Sequence, residues 1–181
     1  MTKPTYDYIE SPHRTRVRVK PISAIVIHYT GSMSIESTIS WFLRPESKVS
    51  AHYVVGREGR VVQMVMDDQV AWHAGRSAMR PTLPDTDPRK EVNVNKFSLG
   101  IELVGDADSG FTDRQLASLY ELIAVLVQRY KIPPERVVGH STVSPGRKID
   151  PEGFTDQFPW AKTKAVATLA FQATTGVNSH T

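Results

Sequence analysis

Ser23–Tyr29 reads SAIVIHY, an aliphatic and largely β-branched run between Pro21 and Gly31 that carries one histidine, His28, near its end. Such a run predicts a buried strand. Ser98–Val104, SLGIELV, predicts a second strand. Its alternation places Leu99, Ile101 and Leu103 on one face and Gly100, Glu102 and Val104 on the other. Between these two, Ser34 reads as an N-cap ahead of Ile35, Ile39 and Phe42 at helical spacing, with Pro45 ending the helix. Ala51–Gly56 and Arg60–Met66 read as a hairpin closed by Arg57-Glu58-Gly59. Ser77–Phe97, with Pro81, Pro84 and Pro88, reads as a long surface loop.

Thr112–Tyr130 carries the clearest helical pattern: Thr112 and Gln115 form a capping box, and Leu116, Leu119, Tyr120, Ile123, Val127 and Tyr130 share one side. A short strand over Arg136–Gly139 leads into His140, and a last helix starts around Pro159 with Trp160 in its first turn. The order β-α-β-β-β-α-β-α predicts an α/β fold: a single domain with a central mixed β-sheet flanked by helices. Residues 1–20, polar and with a basic run at Arg14, Arg16, Arg18 and Lys20, are expected to be an N-terminal arm. Residues 21–172 make the folded domain, and 173–181 a flexible C-terminal tail.

The chain has 181 residues, enough for one domain, and 40% are hydrophobic, which excludes wholesale disorder. No apolar run reaches the roughly 18 to 20 residues of a membrane span, so membrane insertion is not expected. No apolar stretch follows the charges of Met1–Lys20, so no secretory signal is expected and synthesis in the cytoplasm is. The absence of cysteine excludes disulfides, thiol nucleophiles and thiolate metal sites. Lys and Arg number 22 against 19 Asp and Glu, and this net charge of +3 suits an anionic partner. Nucleic acid has no motif in its favour, and none is expected as a partner.

Six histidines are candidates for chemistry: His13 and His180 fall in the polar arm and tail and read as solvated, whereas His28, His52, His73 and His140 fall on or near strand ends. His28 alone fits a core histidine with a hydrogen-bond partner. The stretch GHSTVSPGRKIDP (139–151), pinned by Pro145, Gly146 and Pro151, must be a shaped loop that fixes His140, Lys148 and Asp150. With His28 these residues supply two imidazoles and a carboxylate, three protein ligands of a tetrahedral zinc with one position left for water. Spacing equally allows Asp150 to pair with Lys148 or Arg147. Glu102, which could also be an ordinary exposed-face glutamate, would serve as a base toward a metal-activated water, and Lys148 would sit near the oxyanion of a carbonyl under attack.

These stretches, IVIHYT (25–30), SAHYVVGREGRVVQ (50–63), AWHAG (71–75), SLGIELVG (98–105) and GHSTVSPGRKIDP (139–151), resemble in order the zinc-dependent N-acetylmuramoyl-L-alanine amidases of the type-two amidase family. That family shares its fold with phage lysozyme amidases and peptidoglycan recognition proteins. The resemblance implies that His28, His140 and Asp150 bind one zinc ion, that Glu102 is the catalytic carboxylate and that Lys148 stabilises the transition state. It implies hydrolysis of the amide between the lactyl group of N-acetylmuramic acid and L-alanine. Ala51 stands where some relatives carry a catalytic tyrosine, and those relatives tend to lack the strand glutamate, so Ala51 and Glu102 agree. Trp72 and His73 are expected to line the substrate groove, Tyr29 to flank the metal, and Lys48 and Asn95 to contact substrate; His52 is expected to be structural.

A non-catalytic peptidoglycan-recognition module is disfavoured because all three ligand positions and Glu102 are filled. An iron oxygenase is disfavoured because no H-x-D or H-x-E occurs. The basic charge and the lack of a wall-binding domain point to a monomeric phage or prophage endolysin, released to act on the cell wall. A cytoplasmic amidase that recycles muropeptides is the alternative.

Overall fold

Ala24, Ile25, Val26 and Ile27 have no exposed surface, as their aliphatic run demands, and they lie inside a six-stranded sheet. The structure is a computed structural model describing residues 6–79, 91–153 and 158–176. In chain order the strands are β1 (Asp7–Tyr8), β2 (Arg14–Thr15), β3 (Ala24–Tyr29), β4 (Tyr53–Val55), β5 (Val61–Gln63), β6 (Val70–Ala71), β7 (Ala78–Met79), β8 (Glu91–Val92), β9 (Ser98–Leu103) and β10 (Val137–Gly139). The helices are α1 (Ile35–Leu43), α2 (Asp113–Tyr130), the short α3 (His140–Val143) and α4 (Trp160–Thr175).

The main sheet runs β1-β5-β4-β9-β3-β10. β4, β9, β3 and β10 are mutually parallel, and β5 runs antiparallel to β4. A parallel centre needs cover on both faces. On one face Ile25, Ile27, Leu99, Ile101 and Leu103 pack with Leu119, Leu122, Ile123 and Leu126 of α2 and with Ala167 and Ala170 of α4. On the other, Ile35, Ile39 and Phe42 of α1 meet Val54, Val62, Met64 and Val104, while Ala24 and Val26 meet Ala74, Val94 and Phe97. The predicted α/β single domain with a central mixed sheet is the observed architecture. Among the described residues no helix is long and apolar enough to cross a membrane.

Local signals act as read at α1, where the Ser34 side chain accepts from the Ser37 amide and the helix stops at Leu43 ahead of Pro45. Thr112 caps α2 in the same way, through the Gln115 amide. The capping box is only half made. The Gln115 amide group turns inward and donates to the Val55 and Val104 carbonyls, at 2.9 and 2.8 Å, tying α2 to β4 and the end of β9.

Four expectations are corrected. The described part of residues 1–20 is woven into the fold, because β1 pairs in parallel with β5 and β2 pairs antiparallel with β6. His13 is buried rather than solvated, its Nε2 2.7 Å from the Arg44 carbonyl. Arg18 of the basic run reaches the carbonyls of Asp67, Gln69, Lys96 and Ser98 at 2.7–3.1 Å. The stretch 77–97 is more than a surface loop: β7 pairs with β8, and Val94 and Phe97 are buried. The start of the expected tail, 173–175, is the last turn of α4, closed by Gly176 in the left-handed region at φ 70°. Residues 1–5, the loop centre 80–90, and 177–181 with His180 lie outside the described residues.

Candidate active site

Parallel pairing aligns Gly139 with Ile27, so His28 and His140, each one residue further on, emerge side by side at the carboxyl ends of β3 and β10. Across the other edge of β3, Glu102 of β9 is the register partner of His28. The carboxyl ends of parallel strands are where α/β folds gather their sites. Asp150 comes from the loop after α3, which doubles back so that the Ser141 amide donates to the Asp150 carbonyl at 2.9 Å. The Asp150–Pro151 peptide bond is cis.

His28 Nδ1 lies 2.9 Å from His140 Nδ1 and 3.1 Å from Asp150 Oδ2, and His140 Nδ1 lies 3.0 Å from the same oxygen. All three residues are buried. Ligands bonded to a tetrahedral ion at about 2.0–2.1 Å stand roughly 3.3 Å apart, close to this spacing. The donor chemistry agrees. His140 Nε2 faces the Ala74 carbonyl at 3.1 Å, and a carbonyl only accepts, so in the neutral ring the proton sits on Nε2 and Nδ1 is a bare lone pair. A bare nitrogen, a carboxylate oxygen and a second imidazole nitrogen aimed at one point form a cavity for a cation. Asp150 therefore faces the imidazoles rather than pairing with Arg147, whose guanidinium donates to the Ala74 and Arg76 carbonyls at 2.7 and 3.1 Å.

Burial sets the charge states. It pushes His28 down to about 4, against the hydrogen bond to Asp150, so the imidazole is neutral near pH 7. Burial would raise Asp150, but hydrogen bonds to His140 and His28 overcome it and hold the carboxyl well below the usual carboxylate range. Glu102 is pushed well above its ordinary value by burial, then by the charge of Asp150, while Lys148 opposes the shift. Its Oε2 is buried without a hydrogen-bond partner. A lone carboxylate oxygen in a largely buried position is unfavourable in a purely structural residue and useful in one that exchanges a proton with a bound molecule.

The triad and Glu102 line a groove of about 730 Å³, together with Tyr29, Trp72, His73 and Lys148. Lys148 is exposed, its side chain free to approach a bound molecule. Trp72 is 37% exposed on the groove wall. Trp41 of α1, 45% exposed, lines the groove as well; sequence reading missed it, because a lone tryptophan on a helix carries no motif. Lys48 is exposed and is not a lining residue of this groove. Asn95 accepts from the Ala74 amide at 2.7 Å and lines a separate pocket beyond Trp72.

His73 does more than line the groove. Its Nδ1 lies 3.0 Å from His28 Nε2 and its Nε2 3.1 Å from Ser98 Oγ, leaving neither nitrogen for a substrate. His52 is wholly buried, accepts from the Gly100 amide at 3.0 Å and stands beside Arg18, consistent with a structural role. Burial, then the Arg18 charge, push it down to about 3.

Comparison with known proteins accords with this geometry. Residues 18–153 match the model of the N-acetylmuramoyl-L-alanine amidase family. The chain is 36% identical over 167 residues to the 1,6-anhydro-N-acetylmuramyl-L-alanine amidase AmpD of Haemophilus influenzae, covering 82% of this chain and 86% of that protein. A crystal structure of a selenomethionine AmpD derivative superposes with a TM-score of 0.69 at 27% identity, over 89% of this chain and 93% of that one. The amidase AmiD of Escherichia coli, solved with anhydro-N-acetylmuramic acid-L-Ala-D-γ-Glu-L-Lys, gives 0.65 at 29% identity over 83% of this chain and 60% of that one. The family match spans the strands that deliver His28, Glu102 and His140 and the loop that delivers Asp150, so fold, site and sequence place this chain in the N-acetylmuramoyl-L-alanine amidase family.

Proposed function

We propose that the protein is a zinc-dependent amidase that cleaves N-acetylmuramic acid from L-alanine in soluble, anhydro-type muropeptides, with His28, His140 and Asp150 as the ligands of one zinc ion. The observation that carries the chemistry is the convergence of three ligand atoms within about 3 Å beside Glu102, whose Oε2 is buried without a hydrogen-bond partner. Bound zinc supplies Lewis acidity for the scissile carbonyl and a water of lowered pKa. Glu102 takes a proton from the attacking water as its oxygen bonds to the lactyl carbonyl carbon, and passes a proton to the departing alanine nitrogen as the C–N bond breaks. Lys148 offers its ammonium to the oxyanion of the tetrahedral intermediate. Tyr29 and Trp72 form the groove wall against which the substrate lies.

Recycling is favoured over the endolysin role expected from the sequence. Relatives over most of the chain, including that of Haemophilus influenzae, bear the name of 1,6-anhydro-muramyl amidases. Endolysins of similar fold, such as one from Clostridium intestinale at 19% identity, speak to the fold alone. Incubation with anhydro-muramyl tripeptide and, separately, with intact sacculi, each with chelator and with zinc restored, tests the reading. Peptide beginning with L-alanine should appear from the soluble substrate, vanish with chelator and return with zinc. Equal or faster release from sacculi would restore the endolysin, and binding without release would make this a recognition module.

A further inference from the structure

We propose that His73 is the positioning residue of the metal site, holding His28 in the one tautomer that can bind a cation, and that Ser98 and Gly100 of β9 hold His73 in that role. The inference rests on the reading of His28, His140 and Asp150 as metal ligands.

The proton order follows from the far end of a chain of hydrogen bonds. Ser98 Oγ donates its only proton to the Val94 carbonyl at 2.7 Å. It can then only accept from His73 Nε2, 3.1 Å away. In a neutral imidazole one nitrogen donates and the other accepts. His73 Nδ1 is therefore an acceptor, and the proton of its 3.0 Å contact with His28 belongs to His28 Nε2. That leaves His28 Nδ1 bare and pointing at His140 Nδ1 and Asp150 Oδ2. The Ala74 carbonyl does the same for His140, one residue after His73 in the chain. The segment His73-Ala74 thus orients both imidazoles at once.

Gly100 is the floor of this arrangement. A Cβ there would lie 2.5 Å from His73 Cγ and 2.8 Å from Nδ1, so any larger residue displaces the ring. Ser98, Gly100 and Glu102 alternate along one strand and share its site-facing side. One face of β9 therefore carries the proton acceptor for His73, the space for its ring and the proposed base. Partners that fix a ligand imidazole typically contribute 10–100-fold in metal affinity.

The test is zinc affinity by chelator competition, with the visible spectrum of the cobalt-substituted protein, in wild type, His73→Phe, His73→Asn and Ser98→Ala. His73→Phe keeps a ring without nitrogen and should weaken zinc about 10–100-fold and alter the cobalt spectrum. His73→Asn places an amide oxygen near the former Nδ1 and should recover most of that loss, which a merely space-filling role would not allow. Should His73→Phe not fold, Ser98→Ala carries the test: it leaves the His73 tautomer unfixed and should weaken zinc several-fold. Wild-type affinity and an unchanged spectrum in folded His73→Phe, or in Ser98→Ala if that is the folded variant, would overturn the positioning role. A wild-type chain that binds no zinc would instead overturn the metal reading beneath it.

Discussion

His28 and Glu102 are Cα partners across the parallel ladder of β3 and β9. The strand pairing that builds the core therefore also sets the proposed metal ligand His28 beside the Glu102 carboxylate, whose Oε2 is buried, and neither residue depends on a mobile loop for its place. Sites carried on paired strands hold their geometry more tightly than sites on loops.

That placement makes Glu102→Gln the cleanest probe of the chemistry, because it preserves size and removes the base. Zinc content should stay stoichiometric while turnover falls about 100–10,000-fold. Metal analysis beside product release from a muropeptide decides it, and a fully active variant would remove Glu102 from the mechanism.

His140→Ala should lose bound zinc, since it deletes one of the three converging ligand atoms. Zinc at 100 times its dissociation constant stabilises a folded protein by about 2.7 kcal/mol. Thermal melting of wild type should therefore respond to added zinc, and the variant should not; stoichiometric zinc in His140→Ala would refute the ligand assignment.

Deletion of residues 1–20 should destabilise the fold well beyond the loss of a surface arm. It removes the edge strand β1 and the Arg18 guanidinium, which donates to the carbonyls of Asp67, Gln69, Asn95, Lys96 and Ser98. Arg18→Ala alone removes the donor from the part-buried carbonyls of Asp67, Gln69 and Ser98, and a carbonyl left unsatisfied inside the fold costs up to about 1–3 kcal/mol. Urea melts of Arg18→Ala that coincide with wild type would show the arm to be dispensable.

In the metal-free protein, stability should fall as pH drops below about 6.5. Folded His28 and His52 titrate near 4 and near 3, and His73 well below its ordinary value, so between those values and 6.5 the unfolded chain binds protons that the folded chain refuses. Protonation then favours unfolding by about 1.4 kcal/mol per pH unit for each such proton. Glu102, raised in the fold, binds a proton early and works in the opposite sense, but three histidines outweigh one carboxyl. Denaturant midpoints measured with chelator at pH 7.5, 6 and 5 should decrease in that order, and a flat or rising series would contradict the buried neutral imidazoles.

The sequence by itself determined the strands and helices whose residues declare their surroundings locally. The aliphatic run at 24–27, the alternation of 98–103, the cap at Ser34 and the helix of 113–130 are all legible because burial and hydrogen bonding act there on neighbours in the chain. It also offered His28, Glu102, His140, Lys148 and Asp150 as candidates, but spacing left ordinary ion pairs equally open, and only the resemblance of five stretches in order to the amidase family gave these residues their expected roles. Only the tertiary structure decided that residues 6–20 belong to the fold, because Arg18 bonds carbonyls some fifty to eighty positions away. It alone decided what holds the site in register. His73 meets His28 across 45 positions and Ser98 across 25, and its counterpart for His140 is a backbone carbonyl. Every residue carries a carbonyl, so no residue type announces the one that orients a ligand; that choice is made only when the chain brings it within 3.1 Å.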